Sequence, residues 1–284
     1  MATSALPTVP LGAHHVTRLI GGGNPLCANS HWSGKTDAEM AAFHTPQRAV
    51  AYLRRLAEAG LNAVQARGDY HRILYWLELF RREGGDLQWI AQTASEMADV
   101  FQNIRVIAAA GAIAIYHHGT RTDQLWREGR IDRVRDYLSC MRDQGVVVGL
   151  GTHMPEVVAY AEEHEWDVDF YMTCIYDLNH KLSPQQIAQI ATAGAADPPT
   201  SADHFRAGDP ARMYAAIQAT DKTCLAFKIL AAGRRCQSQE TVRAAFHEAF
   251  ANIKSNDAVV VGMWSGRQDE IGLNVQHLLA TLAG

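Results

Sequence analysis

The sequence predicts a single (β/α)8 barrel of the TIM type, an α/β fold covering residues 1–284 as one domain. Three observations predict it. Eight short apolar runs alternate with amphipathic stretches along the 284 residues, and eight strand–helix repeats in that length suit one closed barrel. The amphipathic stretches carry apolar spacings of three and four, as in Val134, Leu138 and Met141. The glycine-rich stretch after the first run, GGGNP (21–25), is not the G-x-G-x-x-G fingerprint of an open dinucleotide-binding sheet.

In chain order, the strand candidates are RLIGGGN (18–24), NAVQAR (62–67), LQWIAQT (87–93), AIAIYHH (112–118), VVVGLGTH (146–153), VDFYMTCIY (168–176), CLAFKIL (224–230) and AVVVGMW (258–264). Each is short, apolar and bounded by polar or turn residues, as expected for strands buried on both faces. The helical stretches between them are 46–59, 70–82, 95–109, 121–144, 155–164, 183–192 with 210–220, 238–254 and 269–283. Ser183-Pro184 and Asp209-Pro210 read as an N-cap followed by proline at the first helical position. One long polar insert, AGAADPPTSADHFRAGD (193–209), interrupts the sixth unit. On a barrel it would lie over the carboxyl face as a lid or as a tolerated surface loop.

Composition narrows the function classes. The chain is 48% hydrophobic and 20% charged, enough apolar material for a large core and against wholesale disorder. The net charge of −4 and the lack of a basic stripe argue against nucleic-acid binding. No apolar run reaches ~18 residues, so no membrane-spanning helix is expected, and the N-terminus shows no signal-peptide pattern. Five scattered cysteines suit reduced thiols in a cytoplasm better than a disulfide framework.

Barrel chemistry sits at the carboxyl ends of the strands, which ranks the candidates. His117 and His153 end adjacent strands. With a carboxylate, most plausibly Asp69, they would form a facial triad for Fe(II), Zn or another divalent metal, with open positions for substrate or oxygen. His71 is an alternative third ligand, and a metal-free site with one core histidine and one proton shuttle is the plainer possibility. His118, next to His117, should point to the opposite side of an extended strand and is a candidate for substrate contact. Asn24, Arg67 and Tyr176 are further substrate-binding candidates. Arg67 could clamp a substrate oxygen or simply pair with Asp69. Gln65, Tyr70 and Lys228 are the catalytic candidates. Lys228 stands in an otherwise apolar strand, where burial would lower its pKa and permit Schiff-base chemistry; substrate anchoring is the milder role. Cys174 has nothing beside it in sequence to make it a nucleophile.

Several stretches resemble the aldo/keto reductase superfamily: PLGAHHVTRLIGGGN, AEAGLNAVQARGDY, AIAIYHHG, DFYMTCIYDLNHK, CLAFKILAAGR and VVVGMWSGRQDEIGLNV. The resemblance implies a barrel, with Tyr70 and His117 at that family's catalytic tyrosine and histidine. Its aspartate position reads Gln65 and its lysine position falls near Gln92, which removes the groups that would acidify Tyr70. The strings GGNP, HHGTRTDQLW, GLGTHMPEV and FYMTC resemble a divergent branch of that superfamily, associated with a non-haem iron oxygenase of oxazinomycin biosynthesis. The resulting expectation is a cytoplasmic non-haem Fe(II) oxygenase acting with O2 on a small hydroxylated aromatic or heterocyclic substrate. The alternatives are a divalent-metal hydrolase or lyase, an atypical NADPH-dependent reductase, and a barrel that only binds.

Overall fold

Eight parallel strands close on themselves, each beside its sequence neighbour and the last beside the first. A computed structural model describes residues 6–69, 72–94, 97–191 and 198–283. Before the barrel, β1 (Thr8–Leu11) and β2 (His14–Thr17) form an antiparallel hairpin. The barrel strands are β3 (Leu19–Gly22), β4 (Ala63–Arg67), β5 (Gln88–Gln92), β6 (Ala114–His117), β7 (Val147–Thr152), β8 (Phe170–Cys174), β9 (Thr223–Phe227) and β10 (Ala258–Gly262). The helices are α1 (Gly34–Phe43), α2 (Pro46–Glu58), α3 (Ile73–Arg82), α4 (Val100–Ala109), α5 (Gly119–Arg127), α6 (Arg133–Asp143), α7 (Pro155–Glu163), α8 (Pro184–Ala191), α9 (Asp209–Gln218), α10 (Gln239–Asn252) and α11 (Glu270–Ala283).

The expected fold class is the observed one, and all eight predicted runs overlap a barrel strand. The predicted helix over 121–144 is two. Glu128 closes α5, and Gly129 follows in the left-handed region at φ 65°, where glycine ends a helix at least cost. The short helix α1 was not predicted; Ser33 caps it by accepting the Thr36 N–H.

Two cores result from strand alternation. Ile20, Ala63, Ile90, Ala114, Tyr116, Phe170, Met172, Leu225 and Val260 point inward, and Val9, Leu11 and Val16 of the hairpin join them. The hairpin therefore closes the floor of the barrel and leaves the carboxyl end open. The alternate residues, such as Trp89, Ile115 and Val148, pack outward against the helices. On β7 the inward positions include Gly149 and Gly151, because Tyr116 and Phe170 fill that space. A Cβ on Gly149 would stand 2.3 Å from Phe170 Cζ. Gly149→Ala is expected to lower stability by about 1–3 kcal/mol through overpacking, read as a lower urea midpoint with unchanged slope.

Candidate active site

A cavity of about 880 Å3 opens at the carboxyl ends of the strands. Inward residues at the strand tips build its floor. Gln65, Arg67, Gln92 and Tyr116 come from β4, β5 and β6, and Asn24, His118, His153 and Lys228 follow the tips of β3, β6, β7 and β9. Gln65 Nε2 donates to the Tyr116 hydroxyl at 2.8 Å. Burial raises that hydroxyl well above the ordinary tyrosine value, so Tyr116 stays a neutral phenol.

Lys228 is a cation at the rim, after β9. Its backbone is left-handed, at φ 65°, a conformation costly for a residue with a side chain and concentrated at functional sites. It is partly buried and lines the cavity. Among the described residues its amine has no hydrogen-bond or ion-pair partner. Burial, helped by the charges of Arg234 and Lys181, lowers its pKa from 10.5 to about 8, against the pull of Cys174 and Asp203.

Two histidine–carboxylate pairs share the cavity with it. His153 Nδ1 lies 2.7 Å from Asp123 Oδ2. Asp123 is fully buried on α5 and also accepts from Thr152 Oγ1 at 2.6 Å and from Asn179 Nδ2 at 3.2 Å. Burial alone would raise this carboxyl. The bonds from His153, Thr152 and Asn179 outweigh it and hold Asp123 ionised, below its ordinary value. With Nδ1–H donated to that carboxylate, His153 Nε2 is left as the acceptor. The second pair is His31 Nδ1 to Asp203 Oδ2, also 2.7 Å, with Lys181 on the other oxygen of Asp203. Burial and the nearby Lys228 charge lower His31 to about 4, so it is neutral at pH 7. Asp203 belongs to the insert, whose Thr200 and Ser201 N–H groups both donate to the Trp32 carbonyl. The described end of the insert is thereby tied to the loop after β3; residues 193–197 lie outside the described residues.

The expected metal triad is not assembled. Because Ala114 and Tyr116 face inward, His117 faces the helices. Its Nδ1 lies 2.8 Å from Thr122 Oγ1 and its ring stacks on Tyr137 at 5.1 Å. Burial pushes its pKa down to about 3, with His118 and Arg121 adding to the shift. The pair is reversed from expectation: His118 lines the cavity, its Nδ1 accepting the Thr120 N–H at 3.1 Å. Asp69 caps the start of α3, accepting from the Arg72 and Ile73 N–H groups with Oδ1. Among the described residues no three His, Cys, Asp or Glu side chains are grouped to hold a metal ion. Tyr176 packs edge-on against Phe205 at 5.1 Å, away from the cavity lining. Cys174 is a buried thiol whose pKa burial raises to about 12. Tyr70 and His71 lie outside the described residues.

Sequence reading missed Asp123, His31, Asp203 and Asn179. Asp123 had a faint signal, a carboxylate six residues past a strand tip on the helix that starts there. His31 and Asp203 are 172 residues apart and had none.

No family model matches the chain, and no curated protein matches it in sequence. Solved structures share its barrel. A truncated 3-deoxy-D-arabino-heptulosonate 7-phosphate synthase from Thermotoga maritima superposes with TM-score 0.55 at 12% identity, over 98% of this chain and 92% of that one. A phospho-2-dehydro-3-deoxyheptonate aldolase from the same organism gives TM-score 0.51 at 12% identity, over 98% and 73%. Gox0644 in its apo form gives 0.56 at 9% identity, over 98% and 88%. At these identities the likeness is one of fold. The aldo/keto reductase resemblance is corrected: no family model or curated sequence upholds it, and the two Thermotoga neighbours are a synthase and an aldolase. The Fe(II) oxygenase and the wider oxidoreductase reading, with O2 as co-substrate, are corrected with it. The ligand set they rested on is separated by the strand register, with His117 among the helices and Asp69 spent on a helix cap. Among the described residues no helix is long and apolar enough to cross a membrane.

Proposed function

We propose that this chain is a carbon–carbon lyase of the Schiff-base aldolase type, acting on a small carbonyl compound. The observation that carries it is Lys228, a cavity-lining amine at a barrel-strand tip with no carboxylate bonded to it among the described residues and with a pKa near 8. A lysine needed only to bind an anion would gain nothing from a weakened charge, whereas a nucleophilic amine gains its lone pair. The metal-dependent lyase alternative keeps its lyase half, with this amine in place of the metal. The aldolase name of a Thermotoga neighbour agrees with carbon–carbon bond chemistry on this architecture.

The residues suggest the steps. The Lys228 nitrogen adds to the substrate carbonyl carbon, the oxygen takes a proton and leaves as water, and an iminium remains. His153 Nε2 removes the proton from a β-hydroxyl. The β-hydroxyl carbon becomes an aldehyde carbonyl, and the electron pair of the breaking C–C bond flows into the iminium to give an enamine. Protonation and hydrolysis return the amine. Asp123 steadies the imidazolium that forms on His153. The neutral phenol of Tyr116 and the guanidinium of Arg67 face the substrate oxygens from the floor. A cytoplasmic setting is part of this reading, on the five scattered thiols, none of them bridged.

Reduction decides it. The protein is incubated with pyruvate, glycolaldehyde or dihydroxyacetone and sodium borohydride, then digested and mapped by mass spectrometry. The expected result is a reduced adduct on Lys228 with at least one probe, absent from Lys228→Met. Labelling confined to surface lysines overturns the reading.

A further inference from the structure

We infer that the cavity beyond Lys228, from the strand tips outward to α11, is a subsite for a neutral polyhydroxylated chain, so that the carbonyl substrate is sugar-like; only its carbonyl end rests on the Schiff-base reading above. The cavity does not stop at the barrel mouth. It runs past Trp264 to α11, and its 880 Å3 lies in the ~300–1,000 Å3 range of sites for much larger molecules than a three-carbon oxo compound.

Carboxamides are a recurrent part of the polar wall of this space. Asn24, Asn29, Gln92 and Asn274 all line it, and among the described residues none of these four side-chain amides has a hydrogen-bond partner in the protein. Asn274 is the telling one. It is only 5% exposed, sits on α11, and still turns an unpartnered amide to the cavity. Buried polar groups in folded proteins are nearly always satisfied, so such an amide awaits a ligand or water. A carboxamide offers donor and acceptor side by side, and a hydroxyl is both at once. Several such amides around one cavity therefore suit a ligand rich in hydroxyls. The indoles of Trp32 and Trp264 line the same space and supply apolar surface for the C–H faces of such a chain.

The cation beside Asn274 is already paired, which argues against an anionic ligand there. Arg267 pairs with Glu39 at 2.6 Å and covers the Trp264 ring. Glu270 adds a negative charge there and accepts the Trp264 backbone N–H at 2.7 Å. The cation without a bonded partner among the described residues is instead Lys228, at the barrel mouth.

The test separates this subsite from the imine. Lys228→Met protein is titrated with xylitol and with 1,5-pentanediol by calorimetry and saturation-transfer NMR. Xylitol is expected to bind at least ten-fold tighter than the diol. Asn274→Ala in that background is expected to weaken xylitol about five- to ten-fold, the worth of one lost hydrogen bond, without changing the melting temperature. Gln92→Ala, on a rigid strand, should do the same should Asn274→Ala fold poorly. Absent xylitol binding, equal binding of the diol, displacement by inorganic phosphate, or indifference to both substitutions overturns the subsite. Such a failure with borohydride labelling of Lys228 intact removes the polyol subsite alone. Xylitol binding without that labelling removes the Schiff-base reading alone.

Discussion

Asp123→Asn is expected to lower turnover by about 10^2–10^4-fold and stability by about 2–4 kcal/mol. Every group around this fully buried carboxylate is a donor: Thr152 Oγ1, the His153 N–H, His153 Nδ1 and Asn179 Nδ2. Asparagine keeps the shape but turns an –NH2 toward at least one of them. If the amide oxygen keeps Thr152, the amide nitrogen meets His153 and favours the tautomer with its proton on Nε2, where a base is needed. The stability loss has a pH signature. The folded carboxyl titrates below the ordinary 3.8, so its contribution is complete above that value and is lost as pH falls through the lower folded value. Urea midpoints of wild type and variant should therefore differ most near neutrality and converge in acid. The 15N shift of His153 should show the changed tautomer. Unchanged kcat, on a probe shown to label Lys228, would remove His153 from the chemistry.

The barrel was legible because its pattern is local. Runs such as VVVGLGTH and AVVVGMW, short and rich in valine, read as buried strands between helices, and the strand tips then select Gln65, Arg67, His118, His153 and Lys228 as residues of the mouth. Strand parity was not legible. An AIAIYHH strand can turn either Ile115 and His117 or Tyr116 and His118 inward, and a slip of one residue exchanges the two sets. The glycines at 149 and 151 held the clue, since their missing side chains make room for Tyr116. The carboxylate partners were harder to find. Asp123 lies on a helix 30 residues from His153, and Asp203 lies 172 residues from His31. Nothing local distinguishes either from a solvated surface aspartate.

Lys228→Met is expected to reduce turnover by ~10^3-fold or more, as loss of a nucleophile does, and the pH behaviour of the wild type shows why. At pH 7 about one Lys228 amine in ten is neutral for a pKa near 8, against roughly one in three thousand at 10.5. Labelling at low probe concentration should rise about ten-fold per pH unit up to that point and then level off. A profile still climbing at pH 10 would mean an ordinary surface-like amine and no nucleophile prepared by the fold. Stability carries the same signature with the opposite partner state. Below the folded pKa both states hold the proton, and the folded protein bears the full cost of a poorly solvated ammonium. Between about 8 and 10.5 the folded state sheds the proton first, so that cost is relieved as pH rises. Methionine, of similar length and without charge, has no such cost at any pH. The variant should therefore melt higher than wild type at pH 7, with the gap closing toward pH 10. A protein that is less active and more stable without its lysine is one in which the fold tolerates the amine for chemistry; a variant of lower stability at pH 7 would assign Lys228 to the architecture.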